Sequence, residues 1–149
     1  WRSLSAKEPG YCPPVIYEAG GVRQLIVYTP AEVAALNPET GEPYWSVPAK
    51  PAFAMSIAMP RKEEDKLFVT SYQDESMMLR LADEAPKADV VWKGSLRTSM
   101  QSTMMTPWFE DGFLYGCDSN GQFRCVKAAD GSRVWETLAP TTGGRPAKW

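Results

Sequence analysis

Tryptophans set a ruler along this chain: Trp1, Trp45, Trp92 and Trp135 recur every 43 to 47 residues. So long a period, filled with short apolar runs and turn formers, restricts the chain to repeated units that bury their cores against one another. The clearest copy is Gly112 to Trp135, GFLYGCDSNGQFRCVKAADGSRVW. Phe113 to Cys117 is strand-like, Asp118 to Gly121 is a cluster of turn formers, Phe123 to Val126 resumes the strand, and Asp130-Gly131 turns again before Val134-Trp135. Gln24 to Trp45 has the same order of parts, and Lys66 to Trp92 repeats it less sharply.

A repeat of this length made of four short strands is the signature of β-propeller blades. The expected fold is therefore all-β, a propeller fragment of about three four-stranded antiparallel blades plus the last strand of a preceding blade. With strands lettered A to D from the axis outward, the first blade reads Cys12 to Tyr17, Gln24 to Tyr28, Val33 to Leu36 and Tyr44 to Val47. The second reads Met55 to Met59, Leu67 to Tyr72, Met77 to Leu81 and Val90 to Lys93, and the third Thr103 to Phe109, Phe113 to Cys117, Phe123 to Val126 and Val134 to Thr137. The blades thus occupy about 11–47, 55–93 and 103–137, with Trp1 to Leu4 as the remnant and 138–149 leading into a further blade. Three blades and a remnant cannot close a ring, so the remaining blades are expected outside this chain. Pro30 and Pro38 bracket Ala31 to Leu36 too closely for a helix, and the charged run Arg61 to Lys66 reads as a solvated A-to-B loop.

Composition excludes several classes of function. Sixteen basic and eighteen acidic residues leave a net charge of −2, which argues against a nucleic-acid partner. No apolar run approaches the length of a transmembrane segment, and no signal peptide opens the sequence. Three cysteines and no histidine match no zinc or haem spacing. Asp118-Ser119-Asn120-Gly121 opens like a calcium loop but lacks the later ligands, so it reads as a hairpin turn. Met77-Met78 and Met104-Met105 read as gap-filling between blades, and Glu110 with Asp111 as solvated turn residues. Cys117 and Cys125 flank their turn symmetrically and could oppose one another. Free, core-packed thiols are the expectation, with a bridge as the alternative. No residue is assigned a catalytic, cofactor-binding or metal-binding role.

The stretch Ala35 to Trp45, ALNPETGEPYW, resembles the eleven-residue tryptophan-docking motif of pyrroloquinoline-quinone-like propeller repeats. Ala35 is the small opening residue, Asn37 stands third, Thr40-Gly41 makes the turn and Trp45 closes it. The third copy keeps Gly131 and Trp135 but has Cys125 and Lys127 at the first and third positions. The second keeps only Trp92, with Pro86 to Asp89 in place of the glycine turn. Asn and Gly tolerate left-handed backbone, and the Trp ring can lie flat on a neighbouring blade's turn. Trp45 is expected to stack across a blade boundary beside Gly41.

The resemblance implies two careers. Quinone-dependent dehydrogenases of this kind hold their cofactor on the axis with calcium and often carry adjacent cysteines, and neither feature is visible here. Binding propellers, such as outer-membrane assembly lipoproteins, work through loops and edges. The resemblance therefore favours a non-catalytic, extracytoplasmic binding or scaffold module, periplasmic or secreted. The alternative is part of a quinone-dependent dehydrogenase whose catalytic residues lie outside this chain, and only there would pyrroloquinoline quinone be a cofactor.

Charge supplies a candidate site. The D-to-A connections cross one face toward the axis and carry Lys7, Lys50, Arg97, Arg145 and Lys148 against a single acid, Glu8. The opposite face, including Arg61 to Lys66, Asp130 and Arg133, is net acidic. Glu32, Asp74, Glu75 and Asp118 share the basic face farther out. Basic residues gathered over the mouth of an acidic protein focus field there, which suits a protein segment, an anionic small molecule or a glycan. Arg97, Arg145 and Lys148 are the expected contacts, the arginines because a guanidinium grips an oxyanion through two hydrogen bonds.

Overall fold

The computed structural model describes residues 1–73, 76–95 and 97–146. Among these, twelve strands form three four-stranded sheets, and the one helical element is a 3-10 turn at Ala52–Ala54. The first sheet is β1 (Val15–Ala19), β2 (Val22–Tyr28), β3 (Glu32–Leu36) and β4 (Pro43–Pro48). The second is β5 (Arg61–Glu63), β6 (Lys66–Thr70), β7 (Ser76–Leu81) and β8 (Ala88–Gly94). The third is β9 (Trp108–Glu110), β10 (Phe113–Cys117), β11 (Phe123–Lys127) and β12 (Arg133–Thr137). Spatial order follows chain order in each sheet and every neighbouring pair is antiparallel, which is the construction of a propeller blade.

The innermost strands begin later than the sequence reading placed them. They run from Val15, Arg61 and Trp108, not from Cys12, Met55 and Thr103. Arg61–Glu63 is thus a strand, where the charged run reads as loop. Each inner strand meets the next through two residues: Gly20-Gly21, Glu64-Asp65 and Asp111-Gly112. Gly20, Gly21, Glu64, Asp111 and Gly112 all have positive φ, at 60°, 72°, 50°, 52° and 76°. That backbone matches the right-handed twist of the flanking strands in a tight hairpin. These strands are three to five residues long and carry little apolar alternation, so the turn dipeptides locate them better than hydrophobicity does.

One irregularity recurs in all three blades. The third and fourth strands slip register between Ala35 and Leu36, Met78 and Leu79, and Cys125 and Val126. Opposite the residue before each slip stands a tryptophan: Ala35 with Trp45, Met78 with Trp92 and Cys125 with Trp135. A bulge bends the outer strand and re-aims its side chains. The middle blade, whose sequence has lost the glycine turn, keeps this bulge.

Blade-on-blade packing supplies the core. Ile26, Val33, Ala35 and Val47 of the first blade bury against Leu67, Val69, Met77, Leu79 and Leu81 of the second. The opposite face of the second blade puts Phe68 and Met78 against Met100, Phe109, Leu114, Val126 and Ala128. Successive residues of β6 and β7 therefore enter different cores, which is why both strands read as nearly continuous apolar runs. Each fully buried side chain of this size contributes about 1.5–3 kcal/mol of transfer free energy. Met77 and Met78 fill the space between blades as expected, but Met104 and Met105 are exposed, Met104 at 68 %. They lie in the connection before β9, outside any strand.

The three thiols are free. Register sets Cys117 opposite Phe123 and Cys125 opposite Tyr115, so the two cysteines do not face each other and the bridged alternative falls. Burial raises the pKa of all three, that of Cys12 to about 12. Alkylation in denaturant without reductant is expected to add three labels by intact mass, and a species carrying one label would contradict this arrangement.

Candidate functional site

The turns before the tryptophans are built by their own hydrogen bonds. Asn37 Oδ1 accepts from the Glu39 and Thr40 amides at 2.8 and 3.3 Å, and Thr40 Oγ1 accepts from the Glu42 amide at 3.2 Å. Gly41, at φ 77°, donates its N–H to the Asn37 carbonyl at 2.8 Å. The third blade repeats this: the Gly131 amide donates to the Lys127 carbonyl at 2.9 Å, and Asp130 Oδ1 accepts from the Ser132 amide at 2.8 Å. Ala35, buried, sits between Ile26 and Trp45 in the first sheet.

Each glycine turn receives a ring from elsewhere in the chain. A Cβ at Gly131 would lie 3.0 Å from the Trp92 ring, whose Nε1 donates to the Ala128 carbonyl at 2.8 Å. At Gly41 the ring is that of Trp1, so tight that a Cβ would collide with it. This corrects the expectation that Trp45 stacks beside Gly41. The Trp45 Nε1 donates within its own blade, to Gln24 Oε1 at 2.7 Å, and Gln24 Nε2 donates to the Ala19 carbonyl at 2.8 Å. On the second blade, where no glycine turn exists, it is Gly20 that presses on the Ala85 carbonyl. Trp135 is 40 % exposed beside Tyr115 and Phe123, with ring centroids 6.3 and 5.5 Å away. Trp1 to Leu4 pairs with no strand among the described residues.

Of the basic candidates, Arg97 and Arg145 are both exposed, and Lys148 lies outside the described residues. Arg97 stands on a turn closed by bonds from the Thr98 and Ser99 amides to the Ser95 carbonyl, both 3.1 Å. Two arginines of the third blade grip this connection from below. Arg124 Nη1 donates to the Ser99 carbonyl at 2.9 Å and Arg133 Nη2 to the Arg97 carbonyl at 3.0 Å. Arg133, counted with the opposite face by its position in sequence, therefore reaches the Arg97 loop, with its charge met by Glu136. Arg145 follows a segment anchored by Thr141 Oγ1 to the Gly121 carbonyl, and its own carbonyl accepts from Thr142 Oγ1. Both connections thus border the Asp118-to-Gln122 turn.

Beneath them lies a buried ion pair. Arg124 Nη2 is 2.7 Å from Asp118 Oδ2, with side chains 3 % and 0 % exposed. Asp118 Oδ1 accepts from the Asn120 and Gln122 amides, both at 2.9 Å, as a hairpin turn requires. Glu136 Oε2 approaches Arg124 Nε at 3.5 Å and also pairs with Arg133. Burial pulls the Arg124 guanidinium below its usual pKa, and Asp118 is the main opposing influence. Asp118 is accordingly compensated inside the protein and does not oppose the surface arginines as the loop-by-loop reading assumes. Asp74 and Glu75 lie outside the described residues.

The axial side shows a further correction. The Arg61 guanidinium stands 5.4 Å from the centre of the Trp108 ring, and Glu63 Oε2 accepts from the Gly112 amide at 2.9 Å. These charges are fixed between the second and third blades and are not free in a loop. Among the described residues no helix is long and apolar enough to cross a membrane, and no group of three or more His, Cys, Asp or Glu side chains is arranged to hold a metal ion.

Three antiparallel meanders, each bulged opposite its tryptophan and stacked face to face, define a propeller module of the pyrroloquinoline-quinone-like repeat class. Residues 29–146 match the family model described as outer membrane protein assembly factor BamB, and the chain belongs to that family. BamB from Moraxella catarrhalis superposes with a TM-score of 0.53 at 19 % identity, over 82 % of this chain and 35 % of that one. A europium-containing methanol dehydrogenase gives 0.60 at 13 % identity, over 86 % of this chain and 24 % of the enzyme. A quinohemoprotein alcohol dehydrogenase from Pseudomonas putida gives 0.62 at 14 % identity, over 89 % and 21 %. At these identities the likeness shows the fold alone, and the chain spans about a third or less of each relative's length. No curated protein sequence matches the chain.

Proposed function

We propose that the chain is a non-catalytic, extracytoplasmic binding module whose D-to-A loop face receives an acidic segment of a partner protein through Arg97 and Arg145. The observation that carries this reading is the way Arg97 is presented. Its loop is held at two carbonyls by Arg124 and Arg133, so an exposed guanidinium stands on a backbone fixed from within the third blade. A charge held in place in advance loses less entropy on binding than one on a free loop. The family description, an outer membrane assembly factor, supports both a protein partner and a site outside the cytoplasm.

The dehydrogenase alternative needs a quinone held with calcium. On that alternative the residues that hold the quinone and the calcium lie outside this chain, and direct binding decides it. The test uses the full-length protein and a fluorescein-labelled Glu-Gly repeat peptide, with a Lys-Gly repeat as control. Arg97→Ala and Arg145→Ala are each expected to weaken Glu-Gly binding about three- to tenfold and to flatten its salt dependence. Binding unchanged by both substitutions would overturn the reading. Saturable binding of pyrroloquinoline quinone would carry the dehydrogenase alternative instead.

A further inference from the structure

Two methionines that the sequence reads as packing between blades stand in solvent instead. Met104 is 68 % and Met105 40 % exposed, whereas Met77, Met78 and Met100 are fully buried. The exposed pair adds little to the core, yet the connection that carries it is fixed on both sides. Before the pair, buried Thr103 donates from Oγ1 to Ser119 Oγ at 3.0 Å, and Ser102 Oγ donates to the Cys117 carbonyl at 2.7 Å. After it, Thr106 Oγ1 accepts from the Met59 amide at 3.1 Å, and buried Pro107 leads into β9. Two thioethers are thus presented to solvent between hydroxyl anchors.

The bond from Met59 to Thr106 brings a third thioether alongside, from the connection between the first and second blades. The two connections then run on together. Met59 stands just before β5 and Met105 just before β9, and these strands meet where the Arg61 guanidinium lies 5.4 Å from the centre of the Trp108 ring. The Met59 segment is held on its other side as well: the Pro60 carbonyl accepts from the Tyr17 hydroxyl at 3.0 Å, and Ala58 is buried. Met59 itself is half-buried. Three methionines from two fixed connections therefore adjoin one another at the boundary of the second and third blades.

A thioether sulfur is a neutral, soft donor that favours copper(I) over hard cations such as calcium or magnesium. The methionine side chain is unbranched and adaptable, so neighbouring sulfurs can close on one ion while the backbone stays in place. The competing soft donors are withdrawn. Burial raises the pKa of all three cysteines, that of Cys12 to about 12, which keeps the thiols protonated, and the chain has no histidine. We propose that Met59, Met104 and Met105 form a binding site for a soft monovalent cation, copper(I), each thioether supplying one ligand. The site uses none of the residues assigned to the acidic segment, so the two readings stand or fall separately.

The experiment titrates the full-length protein with silver(I) nitrate in chloride-free buffer, as a redox-inert probe, and with copper(I) under ascorbate against bicinchoninate. A single saturable site is expected. Met59→Leu, Met104→Leu and Met105→Leu should each weaken binding by at least about tenfold, and the triple variant should abolish it. Leucine keeps the apolar bulk, so an unchanged far-ultraviolet circular dichroism spectrum is expected for each variant. In protein labelled with carbon-13 at the methionine methyls, silver(I) should shift the resonances of Met59, Met104 and Met105 and leave those of Met77, Met78 and Met100 in place. Thioethers carry no titrating proton, so affinity should stay level from about pH 8 down to about pH 5, whereas a thiolate site would weaken as the pH falls. Binding that survives the triple substitution overturns the inference, as does binding abolished by N-ethylmaleimide, which would place the ion on the cysteines. Methyl shifts confined to Met104 and Met105 would likewise overturn the three-ligand site.

Discussion

Replacing Asp118 with alanine is expected to destabilise the protein by about 3–5 kcal/mol, because it strands the Arg124 guanidinium in the interior. The pair is 2.7 Å apart and both side chains are almost wholly buried, so water cannot replace the lost carboxylate. Glu136, at 3.5 Å from Arg124 Nε and shared with Arg133, compensates only in part. The carboxylate also serves two backbone amides of its turn, and those donors lose their acceptor in the same variant. By urea titration of the full-length protein the unfolding midpoint should fall sharply at nearly constant slope. Adding Arg124→Met should recover more than half of the loss, because two apolar groups carry no stranded charge. If Asp118→Ala and the double variant unfold at the same midpoint, the cost came from the turn and not from the ion pair. The consequence reaches the surface: Arg124 also holds the Ser99 carbonyl, so releasing it should loosen the loop that presents Arg97.

Trp92→Ala is expected to cost a similar amount, about 3–5 kcal/mol, as for other large core truncations. The ring contributes to the core between the second and third blades, lies 5.9 Å from Phe68 and against Gly131, and its Nε1 donates to Ala128. Truncation opens a cavity at a blade boundary and orphans the Ala128 carbonyl in a single change. Gly131→Ala approaches the same contact from the other side, combining φ 73° with a Cβ 3.0 Å from the indole, and should cost about 1–3 kcal/mol. Trp108, 54 % exposed and bonded to Glu110 in its own strand, is the control, and its alanine variant should change stability by no more than about 1 kcal/mol. Both rings touch the boundary of the second and third blades, Trp108 through the Arg61 guanidinium, so equal losses would show that the burial of Trp92 and its contacts with Gly131 and Ala128 are not what it contributes.

The candidate sites differ in how far the sequence discloses them. Arg97 and Arg145 are found by counting charges in loops once the blades are assigned. Counting misplaces Arg133, whose long side chain reaches past its own hairpin to the Arg97 carbonyl. It also treats Asp118 as a surface charge, although it lies buried in the core. The methionine site escapes a sequence reading because Met104-Met105 looks like packing material. Only the exposure of the pair and the bond from Met59 to Thr106, forty-seven positions along the chain, set it apart.

By itself the sequence determined the repeat, the all-β class, the order of the strands and the two glycine turns. All of these rest on local rules: alternation within a strand, the few residues that tolerate positive φ, and a tryptophan at a constant interval. The tertiary structure decided which tryptophan meets which turn. Trp1 meets Gly41 and Trp92 meets Gly131, so each ring crosses to the following blade, while Trp45 bonds inside its own. It also decided where the short inner strands begin. The physical reasons differ: tryptophan and glycine partners some forty residues apart are matched by the stacking of whole sheets, which no local pattern records, whereas the inner strands are set by tight hairpins whose strands are too short to show alternation.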